Sequence, residues 1–447
     1  MAGGILSDLL ARVTDAGRAI SGIGDAEPPT PEALAGLCAD LLGGRGEATG
    51  LALAARILEG YAGFGTAERR DVLRRIATGF GPDAARLGAA VAEWQAAPGE
   101  AAARALHDAA EPRSQHLLRT LNRAPGGTAA LVKMREDLIA FLRAEREAPE
   151  AGALAALDSD FRHLFASWFN RGFLELRSID WNTSASVLEK IIAYEAVHAI
   201  QDWDDLRRRV AAPDRRLYGF FHPALPGEPL IFVEVALTDA IPAAIGPILA
   251  QERQPLDPKS ATTAVFYSIS NCQVGLRGIS FGSFLIKQVV EELARETPSV
   301  KVFVTLSPVP GLRGWALAEA RRGEAGLLDD ELRATVMRLD PPDGSIDAVQ
   351  AAEDAARLGR LTALYLLEGK GRGGLPADPV ARFHLGNGAR LERVNPGADH
   401  SARGLRGAWG VMVNYLYDLD EIEKNHEAFA NERSVAASAS VRRLLRA

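Results

Sequence analysis

Residues 261–308 constrain what this 447-residue chain can fold into more tightly than any other stretch. A β-branched and aromatic run, ATTAVFYSIS, leads into a glycine-studded turn, NCQVGLRGISFG. An amphipathic segment, SFLIKQVVEELARE, and a second apolar run, VKVFVTLSP, follow. Val265, Phe266, Tyr267 and Ile269 suit a buried strand. Leu285, Val289 and Leu293 recur every four residues, as do Ile286 and Val290, with Lys287, Glu291, Glu292 and Arg295 opposite them. Pro298 stops that helix. The order is strand, loop, helix, strand.

Glycines 275, 278 and 282 let the backbone turn its N–H groups inward just before the helix, where unpaired amides and the helix dipole favour an anion. The spacing is neither GxGxxG nor GxxxxGK[ST], so dinucleotide and P-loop fingerprints are not met. A tight connection without a ligand fits these residues equally well.

A chain of this length predicts two domains, since single cores rarely grow past roughly 250 to 300 residues. With 47% hydrophobic and 24% charged residues it has an ordinary globular composition. Its formal charge of -7 argues against a nucleic-acid partner. Two cysteines far apart, Cys38 and Cys272, exclude a disulfide scaffold and a CxxC zinc site and point to a reducing compartment. The first residues carry charges and lack a signal-peptide core, and the apolar region LIFVEVALTDAIPAAIGPILA is cut by Glu234, Asp239 and two prolines. The expectation is a cytoplasmic protein with no membrane partner.

Residues 1–152 are rich in Ala, Leu, Arg and Glu with helical spacing broken by Gly or Pro, and Thr30-Pro31-Glu32 is a helix start. They predict an all-helical bundle. The polar, small-residue stretch EAPEAGAL marks a boundary, and 153–447 then alternates strands with helices. RRLYGFFH and PLIFVEVALT are strands joined by a Pro-Gly turn. The fold class predicted is α+β overall, a helical N-terminal bundle followed by an α/β domain with a mixed sheet. DPVARFHLGNGARLERVNP is read as a strand edge and turn, and GAWGVMVNYLYDL as a buried strand.

No HExxH, HxH or Cys/His cluster groups the eight histidines for a metal, and no GxSxG elbow occurs. Ser307, in LSPVPG, follows an apolar strand, where α/β sheets place ligands, though Ser before Pro also serves simply as a turn residue. His384, in FHLGNGA, lies between apolar neighbours and a turn-forming Asn-Gly, where an isolated histidine is usually a satisfied structural side chain. Cys272 at the strand end is either a nucleophile or a buried apolar thiol. The basic loop Gly369 to Gly374 is either an exposed turn or a phosphate contact.

Several strings together identify a family. Arg277 through Ser283, between a strand and an amphipathic helix, resembles the pyrophosphate turn of GNAT-type N-acetyltransferases. FYSISNCQVGLRGISFGSFLIKQVV, LSPVPG, FHPALPGEPLIFVEVALT, DPVARFHLGNGARL and NYLYDL, spread over roughly 160 to 420, resemble the malonyl-CoA decarboxylase family. The resemblance implies a helical oligomerisation domain, hence a homo-oligomer, and a GNAT-like catalytic domain that turns malonyl-CoA into acetyl-CoA and carbon dioxide. The family's catalytic serine and histidine match Ser307 and His384. Its CoA-contacting turn matches Arg277, Gly278, Ile279, Ser280, Phe281, Gly282 and Ser283, and a family tyrosine near the site corresponds to Tyr417. Ser280 stands where some members carry a glutamate, so no carboxylate is obligatory there. The carbanion left by decarboxylation is delocalised onto a thioester oxygen, so neither an organic cofactor nor a metal is expected. Backbone N–H groups beside the central strand would serve as oxyanion donors, and His384 would protonate the enolate or orient the group that does. An acyl-CoA-dependent N-acyltransferase on the same fold, or a CoA-binding protein without turnover, are the competing expectations.

Overall fold

The computed structural model describes residues 2–21, 30–144, 147–279, 285–340 and 348–446. The chain forms two compact units. The first is Met1–Leu174 joined by two later segments, Phe221–Glu228 and Gln273–Phe281; the second is Glu175–Phe220, Pro229–Cys272 and Gly282–Ala447. The fold is α+β.

The first unit is helical. At Pro31–Leu42 the Thr30 side chain accepts from the Ala33 N–H and Pro31 sits in the first turn, as the sequence predicts. Two later helices form much of its interior: α1, Gly127–Ala144, and α2, Ala151–Trp168. Leu131, Leu138, Phe161 and Phe165 are buried, so each helix turns an apolar stripe to the unit's core. The helical unit therefore runs on past 152, the end read from EAPEAGAL, because α2 carries an apolar face of its own.

The second unit is built on an eight-stranded mixed sheet, β1 (Glu175–Ile179), β2 (Arg215–Phe221), β3 (Pro229–Thr238), β4 (Thr263–Asn271), β5 (Val302–Thr305), β6 (Ser307–Pro308), β7 (Arg390–Asn395) and β8 (Met412–Leu416). The spatial order is β1-β2-β3-β4-β5-β8-β6, with β7 on β8. The central stretch folds as its pattern demands: β4 and β5 pair in parallel, Thr263 with Val302 through Phe266 with Thr305, and helix α3, Leu285–Glu296, connects them. Parallel neighbours require such a crossover. Leu285, Ile286, Val289, Val290 and Leu293 of α3 are all buried. Val265, Tyr267, Val304, Leu306 and Met412 form the core that stiffens the strands' ends.

One element differs from the sequence reading. Residues 379–386 are not a strand edge but helix α5, Pro379–Gly386, which follows α4, Ala355–Glu368. The Asp378 carboxylate accepts from the N–H groups of Val380 and Ala381 at 2.9 and 2.8 Å, and Pro379 occupies the first turn. That pairing of cap and proline starts a helix regardless of the strand-like residues behind it. The Asn-Gly that suggests a turn is the helix's end, with Asn387 as its C-cap.

Candidate active site

Ser307 is placed by strand geometry. After β5 the ladder continues for one residue, Leu306 N–H to Phe266 C=O at 3.0 Å, and the chain then switches partner so that Ser307 opposes Val413 and Pro308 opposes Met412 of β8. Thr305 and Ser307, two apart on an extended chain, share a face. Ser307 Oγ donates to Thr305 Oγ1 at 2.8 Å, and Thr305 Oγ1 also accepts the Tyr415 N–H at 3.1 Å.

Helix α5 brings His384 to that face. Its Nε2 lies 3.1 Å from Ser307 Oγ and its Nδ1 2.8 Å from Tyr417 Oη, just beyond the end of β8. The Tyr415 ring stacks on the imidazole, centroids 4.6 Å apart and planes 24° from parallel. The network assigns the tautomer. Because Ser307 commits its only proton to Thr305, Nε2 must be the donor to Ser307, which leaves Nδ1 to accept from the phenol. Burial pushes the imidazole from its ordinary 6.5 down to about 3, so it is neutral at physiological pH. Burial also raises Tyr417 well above its usual range, which keeps the phenol protonated and able to donate.

Ser307 and His384 line a cavity of about 280 Å³ together with Phe266, Ser268, Ile269, Asn271, Leu306, Pro308, Val380 and Phe383, among others. Among the described residues lining it there is no Lys, Arg, Asp or Glu. A carboxylate brought into such a place loses hydration and finds no counter-ion, so its charged form is disfavoured. Cys272 is buried and does not line the cavity.

Three expected site residues, Ser307, His384 and Tyr417, are thus brought into one hydrogen-bonded chain. Arg277, Gly278 and Ile279 belong to the helical unit, where Arg277 and Gly278 are exposed and Ile279 is buried. Ser280, Phe281, Gly282 and Ser283 lie outside the described residues. Sequence reasoning missed Thr305, Tyr415 and Asp378. Thr305 carries a readable signal, a hydroxyl two positions before Ser307 on the same strand; Asp378 carries another, Asp before Pro. Tyr415 carries none.

Comparisons with known proteins agree over nearly the whole chain. The model of the malonyl-CoA decarboxylase C-terminal domain matches residues 172–447 and that of the malonyl-CoA decarboxylase N-terminal domain residues 80–169. The crystal structure of malonyl-CoA decarboxylase from Rhodopseudomonas palustris is 54% identical with a TM-score of 0.88, covering 93% of this chain and 100% of that one. The Agrobacterium vitis enzyme is 51% identical with a TM-score of 0.83, covering 92% and 99%. The mitochondrial malonyl-CoA decarboxylase of Rattus norvegicus is 34% identical over 444 residues, 92% of this chain and 86% of that protein.

Proposed function

The chain belongs to the malonyl-CoA decarboxylase family and splits malonyl-CoA into acetyl-CoA and carbon dioxide, and from that premise we propose that Ser307 and His384 carry the chemistry in the apolar cavity at the end of β5. The observation that supports this reading most is the Ser307 to His384 hydrogen bond inside a cavity without a cation among its described walls.

The malonyl carboxylate is drawn out of water into this cavity and leaves it as neutral carbon dioxide, which removes the unpaired charge. The electron pair of the broken C–C bond passes to the α-carbon and is shared with the thioester oxygen. Each turnover consumes one proton. Once carbon dioxide has left, the enolate beside the imidazole opposes the burial that holds His384 neutral, so the solvent proton is taken up there. Tyr417 Oη then turns from donor to acceptor at Nδ1, Nε2–H passes its proton to Ser307 Oγ, and the Ser307 proton goes to the α-carbon. The imidazole is left neutral with its proton on Nδ1, and proton exchange with solvent returns it to Nε2 before the next turnover. Electrons move only within the substrate, so neither an organic cofactor nor a metal is required by this scheme.

The phosphates of the CoA end are assigned to the turn at Arg277, Gly278 and Ile279 and, by family resemblance, on through Ser280, Phe281, Gly282 and Ser283. The helical unit is assigned to self-association, and no nucleic acid or membrane partner is assigned. Among the described residues no helix is long and apolar enough to cross a membrane. Cys38 and Cys272 are buried thiols outside any disulfide, which supports a reducing compartment; the cytoplasm is proposed, and a mitochondrial interior, as in the rat relative's name, would suit the same thiols.

Incubation of the purified chain with malonyl-CoA and no amine tests the reading. Acetyl-CoA and carbon dioxide are expected, with Ser307→Ala and His384→Ala each slower by on the order of 10² to 10⁴ in kcat. Wild-type turnover by both variants, folded, would overturn the assignment, and a requirement for an amine would favour the acyltransferase.

A further inference from the structure

The turn assigned to the phosphates is braced from behind by a buried guanidinium. Arg135, on α1, is only 2% exposed. Its Nε donates to the Asp158 carboxylate of α2 at 2.8 Å, and its Nη1 donates to two main-chain carbonyls, Gly275 at 2.6 Å and Arg277 at 3.0 Å. A guanidinium so deeply placed is tolerated only because these acceptors satisfy it. The approach is close: a Cβ at Gly275 would run into the Val132 carbonyl of α1, so only glycine lets the turn settle against the helix.

Peptide geometry gives the brace a consequence. In a trans peptide the N–H points opposite to the C=O. With the Arg277 carbonyl held toward Arg135, the N–H of Gly278 in the same peptide must point away from it. Gly278 has φ +78°, the left-handed region, and Arg277 and Gly278 are both exposed. The Nε of Arg162, an exposed side chain on α2, lies 4.0 Å from where a Gly278 Cβ would be. The Gly278 N–H thus faces away from Arg135, beside the Arg162 guanidinium and the exposed Arg277, while Arg135 holds the turn's carbonyls.

We propose that Arg135 is a positioning residue for the nucleotide end of malonyl-CoA, orienting the Gly278 N–H and Arg277 toward the phosphates; this rests on the assignment of the turn to the CoA end. Arg135 touches no substrate atom. It acts by holding two carbonyls that would otherwise be free to rotate toward the anion and repel it.

The test compares two thioesters on the full chain: malonyl-CoA, and malonyl-N-acetylcysteamine, which keeps the malonyl thioester but lacks the nucleotide. Arg135→Met is expected to raise KM for malonyl-CoA about tenfold with kcat within about twofold, while kcat/KM for the truncated thioester stays within about twofold. Arg135→Lys keeps the charge but not the fork that reaches both carbonyls and Asp158, so it should raise the same KM by a smaller factor; it carries the test if the methionine variant does not fold. Equal losses on both thioesters would overturn the proposal, because a merely structural arginine acts that way. Unchanged KM in both Arg135 variants, with KM raised in Arg277→Glu, would overturn the positioning role and leave the turn's assignment standing. Unchanged KM in Arg277→Glu would overturn both.

Discussion

The cavity at Ser307 and the turn at Arg277 are assigned two ends of one substrate, both anionic, and treat them in opposite ways. The cavity has no charged residue among its described walls, and its histidine is held neutral. The turn displays exposed Arg277 and Gly278, the latter beside exposed Arg162, and rests on buried Arg135. The contrast teaches where charge belongs in this chemistry. An anion that must be kept is met by guanidinium and amide groups in contact with water. One that must be lost is met by largely apolar walls without a charged partner, which make its departure favourable.

The comparison breaks most visibly if a cation is put on the wrong side. Ile269→Lys, at a half-buried position on the cavity wall, should give the malonyl carboxylate the partner it lacks. A charge-assisted hydrogen bond there stabilises the ground state by about 2 kcal/mol, so kcat should fall on the order of thirtyfold while KM falls too. Steady-state kinetics check this, and a kcat that rises would contradict the role given to the uncharged cavity.

Acid stability sharpens the same side. The folded chain keeps His384 neutral down to about 3, whereas the unfolded chain protonates it below its ordinary 6.5. The unfolded state therefore binds more protons across that window. Stability is lost as pH falls from 6.5 toward 3, by roughly 1.4 kcal/mol per unit from this residue. Denaturant melts of His384→Gln beside wild type should show the variant losing less between pH 6 and pH 4, by about that slope. Parallel slopes would mean the imidazole is not desolvated as described.

On the turn's side, Arg277→Glu should raise KM for malonyl-CoA by about tenfold, with the difference shrinking at high salt because the site is exposed. Smallest is Tyr417→Phe, which leaves Nδ1 of His384 without its donor. About 1 kcal/mol, or roughly fivefold in kcat, is expected. Rate constants measured at matched pH decide both.

Much of this is readable in the residues themselves. The parallel pair β4 and β5 with its crossover helix follows from hydrophobic spacing, whereas Ser307 at a strand's end reads locally as a turn residue and only the family resemblance marks it out. His384 stands out in the sequence but on the wrong element, because the strand-like look of 379–386 outweighs the Asp378-Pro379 start that governs it. Its pairing with Ser307 is beyond local pattern, since the two are 77 positions apart and only the family resemblance joins them. The brace on the turn is less readable still. Nothing near Gly275 signals an arginine 140 positions earlier, and a buried guanidinium in a helix looks like any surface residue until its burial is known.

The most direct test of the central claim is a double-mutant cycle on carbon dioxide release from malonyl-CoA, using Ser307→Ala, His384→Ala and the pair combined. If proton delivery runs through both groups as one unit, the double variant should be no slower than the slower single variant, within about threefold. Losses that multiply across the two substitutions would show the hydroxyl and the imidazole acting separately and would contradict the mechanism.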